Sequence, residues 1–141
     1  MSVNDNKATL RRVFDEIWHK GDLSVTRQIY AKEFVYYGAE SAGAVFRGPE
    51  GYAELVRLYR TAFPDIHFTV EQMIGEGDDL VCRWTGSGTH RGELKGVRPT
   101  GKHVVNPGVS VCRFAGGKIV EERAFWDEQH MRQSLGVDPA G

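Results

Sequence analysis

The sequence predicts a single α+β domain over residues 1–141, in which N-terminal helices pack on a mainly antiparallel sheet. Apolar residues of the first half recur at three- and four-residue steps, the period of amphipathic helices. After Pro64 the period changes to two, which is typical of half-buried strands. Helices followed by a run of strands favour the α+β class and disfavour a parallel βαβ architecture.

The first predicted element is an amphipathic helix of about four turns. Asn4 or Asp5 can cap its start, and Gly21 lies where its C-terminal end is expected. Its apolar stripe consists of Leu10, Val13, Phe14, Ile17 and Trp18.

Three further elements precede the strand-rich half. A shorter helix begins at Ser24 and ends near residue 30, and the aromatic segment 34–37 is typical of a strand. The Gly-, Ala- and Ser-rich residues 38–48 are predicted to form a loop. Pro49 then opens a third helix, which Pro64 ends.

The second half is predicted to contain four long strands and a final helix. Gly- and Asp-containing turns separate the strands. The predicted strands lie at about 66–76, 80–90, 102–114 and 118–127, the helix at 128–135, and a frayed tail at 137–141.

Composition excludes several classes of partner. The chain has 18 Lys and Arg against 19 Asp and Glu, so its net charge is -1 and no field attracts nucleic acid or anionic lipid. No basic N-terminal start and no apolar run of about 20 residues is present, so we expect a cytoplasmic protein that does not bind membranes. Cys82 and Cys112 lie in apolar runs and are predicted to be reduced core residues.

The five histidines lack the spacing of a metal site. None forms a His-x-His or His-x-x-x-His pair, and none lies near a cysteine in the sequence. We therefore expect neither a metal nor another cofactor.

Three regions of the sequence, taken in order, carry motifs of a known family. The segments are FRGPEG at 46–51 leading to AFPDIHF at 62–68, VCRWTGSGTHRG at 81–92 with GVRPTG at 96–101, and RFAGGKIVEE at 113–122 with FWD at 125–127 and SLG at 134–136. Together they resemble the SnoaL-like polyketide cyclases of the nuclear-transport-factor-2-like superfamily. The resemblance implies a cone of helices over a strongly curved sheet, a small-molecule pocket at the concave face, and a homodimer.

The same resemblance implies that Asp127 is a general acid/base. One partly desolvated carboxylate can remove a proton beside a carbonyl and return it to the new alkoxide in an aldol closure. The alternative is that Asp127 caps the helix that starts at Glu128. In a regular strand the side chains of Asp127 and Glu122 face opposite sides of the sheet. A bulge near Arg123 would be needed to bring them to the same side. If Asp127 points outward, Glu122 becomes the candidate.

A cyclase also needs a donor for the developing enolate oxygen. His103 and Asn106 are tentative catalytic candidates, with His90, Tyr36 and Tyr37 as others. His103 and Asn106 have opposite alternation, so only one should face the pocket unless Pro107 bends the strand. A structural role is the alternative for each histidine.

The many aromatic side chains are the remaining feature of the sequence that bears on a pocket. Some must form the core, and others could stack on a planar ligand. The predicted pocket residues are Phe14, Trp18, Phe34, Tyr36, Trp84 and Phe125.

These features predict a cofactor-independent cyclase or isomerase that acts on a carbonyl-containing apolar small molecule. Two other hypotheses stay open, because one fold can host several functions. The chain could bind an apolar ligand without catalysis, or it could be a dimeric association module with a vestigial pocket.

Overall fold

The computed structural model describes residues 2–38 and 43–137. The first helix, α1 (Val3–Arg12), continues directly as a π-helix (Val13–His19). The N-cap is Ser2, not Asn4 or Asp5 as predicted: the Ser2 hydroxyl accepts from the Asp5 amide at 3.0 Å, and the Asp5 carboxylate accepts from the Ser2 amide at 3.1 Å. This reciprocal pair is a capping box, which satisfies two free amides at the helix start.

The other elements agree closely with the predicted ones, apart from a divided second helix and one extra strand. A 3-10 turn (Leu23–Val25) and a short helix replace the single second helix that was predicted. The extra strand falls within the segment predicted as loop 38–48, of which 39–42 lie outside the described residues. The remaining elements are α2 (Thr26–Ile29), β1 (Tyr30–Tyr37), β2 (Val45–Arg47), α3 (Gly48–Ala62), β3 (His67–Glu76), β4 (Asp79–Thr89), β5 (His103–Ala115), β6 (Lys118–Trp126) and α4 (Glu128–Ser134).

The strands form one six-stranded sheet in the order β2-β1-β6-β5-β4-β3. The predicted antiparallel run of β3 to β6 is confirmed. The sheet also contains one parallel pair, β1 with β6, which brings Tyr36 opposite Glu122. Helices and sheet share one buried core, so the α+β class is confirmed.

A bulge at Val120 decides which side chains of β6 face the helices. Arg113 pairs with Glu121, but the next residue, Phe114, pairs with Ile119, so Val120 is an extra residue in β6. An inserted residue reverses the alternation of side chains beyond it. Ile119 and Glu122 therefore face the same side of the sheet, although they are three positions apart and a regular strand would place them on opposite sides.

Close packing at the inner face depends on a glycine. A Cβ on Gly108 would come within 2.3 Å of the indole of Trp84, which lies over this position. Any larger residue would force the ring away from the sheet. Within the described part of the chain, no helix is long and apolar enough to cross a membrane.

Candidate functional site

A cavity of about 120 Å³ lies between the helices and the inner face of the sheet. Its size is comparable with the roughly 150 Å³ engineered apolar cavities that bind a benzene ring. The walls are mainly apolar and rich in aromatic side chains, and the π-helix contributes two of these aromatic side chains. The aromatic residues that line it are Phe14, Trp18, Tyr36, Tyr52, Tyr59, Phe63, Phe68, Trp84 and Trp126.

Glu122 carries the only acidic side chain among the described residues that line this cavity. It is only 6% exposed. Burial raises the pKa of Glu122 from 4.5 to about 7, because the charged form loses its hydration, while a hydrogen bond from Ser110 partly opposes the rise. A carboxyl group with this pKa can both accept and release a proton near neutral pH.

A short hydrogen-bonded chain holds Glu122 on the sheet. Trp84 Nε1 donates to Ser110 Oγ at 3.0 Å, and both side chains are buried. An indole nitrogen can only donate, so it uses a lone pair of the hydroxyl and leaves the hydroxyl proton for Glu122. This arrangement orients Ser110 toward the ionised carboxylate and stabilises it.

The helix side of the cavity supplies a second polar group near Glu122. Trp18 Nε1 donates to Tyr52 Oη at 2.9 Å, and the Tyr52 ring stacks on Tyr30 with 4.2 Å between centroids. Burial, and then the nearby charge of Glu122, raise the pKa of Tyr52 well above its ordinary value. The phenol therefore keeps its proton at neutral pH and can act as a hydrogen-bond donor.

Comparison with known proteins agrees with this architecture. The family model of the SnoaL-like polyketide cyclases matches residues 8–135. The chain belongs to this family. A search of curated proteins gave no match.

Solved structures extend this SnoaL-like assignment. A candidate SnoaL-like polyketide cyclase from Jannaschia sp. CCS1 has a TM-score of 0.88 and 26% identity, with 99% of this chain and 98% of that one covered. IdmH, a candidate polyketide cyclase from Streptomyces antibioticus, has a TM-score of 0.79 and 29% identity, with 94% and 99% covered. AclR, a candidate hydroxylase from Streptomyces galilaeus, has a TM-score of 0.81 and 29% identity, with 96% of this chain and 83% of that one covered. Proteins described by different reactions share this fold, so the site must be argued from its own side chains.

Asp127 of this SnoaL-like chain lies outside the cavity. Its side chain is exposed, and its Oδ1 accepts a hydrogen bond from the His130 amide at 2.9 Å, which caps α4. The bulge occurs at Val120 and not near Arg123, so the strand between Glu122 and Asp127 keeps its regular alternation, and the two side chains face opposite sides of the sheet. The structure thus brings Glu122, and not Asp127, to the cavity.

His103 and Asn106, the two tentative polar candidates on β5, face opposite sides of the sheet, as strand alternation predicts. His103 is exposed, and its Nδ1 lies 3.2 Å from Thr89 Oγ1 on the outer side. Asn106 is 8% exposed and lines the cavity, where its Nδ2 donates to the backbone oxygen of Asp127 at 3.0 Å. Pro107 does not disturb this alternation, because burial alternates regularly along β5.

The six predicted pocket aromatics divide into three groups. Phe14, Trp18, Tyr36 and Trp84 line the cavity. Phe34 is fully buried but lies behind the wall, where its ring packs edge-on against Tyr30 and Tyr52. Phe125 is 57% exposed on the outer face, because it has the parity of Asp127 and not of Glu122.

Sequence reasoning missed Ser110 and Tyr52 and ranked Glu122 only second. Ser110 shares the strand parity of Cys112 and Asn106, so a polar residue on the inner face could have been recognised from β5 alone. Tyr52 gave no comparable signal, because one tyrosine on an apolar helix face is indistinguishable from a core residue. Its role depends on the contact with Trp18 from a distant helix.

Proposed function

We propose that this SnoaL-like protein is a cofactor-independent cyclase or isomerase that transfers a proton at a carbon next to a carbonyl group. The observation that carries the proposal is Glu122, a buried carboxyl group with a pKa of about 7 in an aromatic cavity. Desolvated carboxyl groups in apolar sites are common general bases and acids. An apolar cavity with few polar groups favours an apolar substrate.

The proposed reaction needs only the side chains of the cavity. Ionised Glu122 removes a proton from the carbon beside the carbonyl, which leaves an enolate and a neutral Glu122. In a cyclase the enolate carbon bonds to a second carbonyl carbon of the same molecule, and Glu122 returns its proton to the resulting alkoxide. In an isomerase the proton returns to a different carbon. Tyr52, protonated and close to Glu122, is the proposed donor to the enolate oxygen.

Glu122 takes the role that the family resemblance implied for Asp127. The carboxylate of Asp127 is exposed and already accepts the amide of His130, so it is well solvated and engaged in capping. A base of this kind needs both contact with the substrate and partial desolvation. Glu122 is buried and lines the cavity in which a substrate would bind, and the catalytic role of Asp127 stays a prediction that the same experiment tests.

Exchange of the α-protons of 1-tetralone in D₂O, followed by NMR, tests the proposal. This ketone is apolar and bicyclic, and its exchange reports enolisation without ring closure. We expect the wild type to accelerate exchange, and Glu122→Gln to lose about 10²- to 10⁴-fold of that acceleration, the usual contribution of a general base. Asp127→Asn is the matched control and should keep the wild-type rate.

Two results would contradict the proposal. Full exchange activity in Glu122→Gln together with its loss in Asp127→Asn would return the role to Asp127. Binding of 1-tetralone without accelerated exchange by the wild type would favour a non-catalytic binding protein for an apolar ligand.

We also propose that the protein forms a homodimer through the outer face of the sheet. Ile74, Val105 and Phe125 are 57%, 51% and 57% exposed, and strand pairing places them with Val109 and Val111 on this face. Exposed apolar patches of this kind are typical of interaction sites. Phe125→Glu should convert a dimer to a monomer in sedimentation-velocity ultracentrifugation, and a wild type that sediments as a monomer would contradict the proposal.

A further inference from the structure

Asn106 lines the cavity and carries a buried hydrogen-bond acceptor that has no partner among the described residues. The side chain is 8% exposed, and no described residue of the protein hydrogen-bonds its Oδ1. Its Nδ2 donates to the Asp127 backbone oxygen at 3.0 Å. Turning the amide over would bring two oxygens together, so this contact fixes which end of the amide is the acceptor.

The fold does not need this side chain to satisfy the start of α4. The Asp127 backbone oxygen also accepts the amide of Met131 at 3.2 Å, so it would stay paired without Asn106. A buried acceptor without a partner costs free energy that an apolar side chain of similar size would avoid. Retaining asparagine here therefore lowers stability, and a ligand that donates to Oδ1 would compensate for the cost.

We propose that Asn106 Oδ1 accepts a hydrogen bond from a hydroxyl or N–H group of the substrate. This inference rests on the proposed function, because it assigns the opposite end of the same substrate. Asn106 and Ser110, which hydrogen-bonds Glu122, both face inward on β5, and a strand rise of about 3.4 Å per residue separates them by roughly 14 Å.

The substrate class follows from this spacing. One end carries the carbonyl group beside the carbon that Glu122 deprotonates. The other end carries a hydroxyl or N–H donor for Asn106. The body between them is apolar and flat, because the cavity wall between the two polar ends includes the indoles of Trp84 and Trp126.

Two ligands of nearly equal shape test the inference. 2-Naphthol carries a hydroxyl donor, and 2-fluoronaphthalene carries a fluorine that cannot donate. Binding of each is measured by quenching of tryptophan fluorescence for the wild type, Asn106→Leu, Glu122→Gln and Val105→Leu. Val105→Leu is the matched control, since its side chain is on the outer face of the same strand.

We expect the wild type to bind 2-naphthol about five- to tenfold more tightly than 2-fluoronaphthalene, the contribution of one hydrogen bond. Glu122→Gln and Val105→Leu should keep this preference, and Asn106→Leu should lose it.

The thermal unfolding midpoint of ligand-free Asn106→Leu should equal or exceed that of the wild type, because the unpaired acceptor is removed. A residue with only a structural role would lower the midpoint.

The inference is overturned if the wild type shows no preference, if Asn106→Leu keeps it, or if Asn106→Leu lowers the unfolding midpoint. It is also overturned if the preference disappears in Glu122→Gln, because the hydroxyl would then bind at Glu122. Failure of the proposed function is separate: 1-tetralone exchange that is unaffected by Glu122→Gln would refute the proton transfer, while the naphthol preference could still depend on Asn106.

Discussion

Glu122 lies near the middle of strand β6 and Asp127 directly follows the strand, and the surroundings of these two carboxylates differ completely. Glu122 is enclosed by aromatic walls and receives one side-chain hydrogen bond, from Ser110. Asp127 is open to solvent and accepts the backbone amide that starts α4. The two groups have nearly the same chemistry in water, so burial is what makes Glu122 a candidate for proton transfer and Asp127 a helix cap.

Substituting Glu122 should produce the largest effect, on stability. The folded-state pKa of Glu122 is about 7 and its ordinary value is 4.5, so the neutral form is favoured by folding. The contribution of neutral Glu122 to the free energy of unfolding is complete below about pH 4.5 and is lost as the pH rises through 7. The difference in unfolding free energy between Glu122→Gln and the wild type should therefore shift by about 3 kcal/mol in favour of the variant from pH 4 to pH 8, since each pKa unit corresponds to about 1.4 kcal/mol.

Urea denaturation followed by tryptophan fluorescence measures this difference. Curves of unfolding free energy against pH that run parallel for the wild type and Glu122→Gln would show that Glu122 is not desolvated in the folded protein. Glutamine is the suitable replacement because it keeps the shape and can still accept from Ser110.

The pH dependence of 1-tetralone exchange should show a slightly smaller effect. Each pH unit below the pKa reduces the ionised fraction about tenfold. With a pKa of about 7 for Glu122, the rate at pH 5 should be roughly a hundredfold below the rate at pH 8. The inflection should be unchanged in Asp127→Asn, and its disappearance in that variant would assign the base to Asp127.

Substitutions at Asp127 should have the smallest effect, confined to stability. Asp127→Ala removes the acceptor for the His130 amide and should cost about 1 kcal/mol of unfolding free energy in urea denaturation. Asp127→Asn should be nearly neutral, because asparagine also caps helices well. Equal stability of Asp127→Ala and the wild type would contradict the capping role.

Local patterns predicted most of the fold. The apolar stripe from Leu10 to Trp18, the stop at Pro64 and the two-residue period beyond it depend on neighbours in sequence, and each corresponds to an element of the structure. Alternation along β5 also predicted that Asn106 and His103 would face opposite sides. These results follow because helix and strand periods are properties of the backbone itself.

The sequence by itself thus determined the α+β class, the antiparallel run, and the opposite facing of Glu122 and Asp127. Only the tertiary structure decided which of those two faces is the inside. The bulge at Val120 and the parallel pairing of β1 with β6 depend on contacts between residues far apart in the chain. Burial is likewise a property of the assembled core, and it is burial that separates a proton-transfer group from a cap.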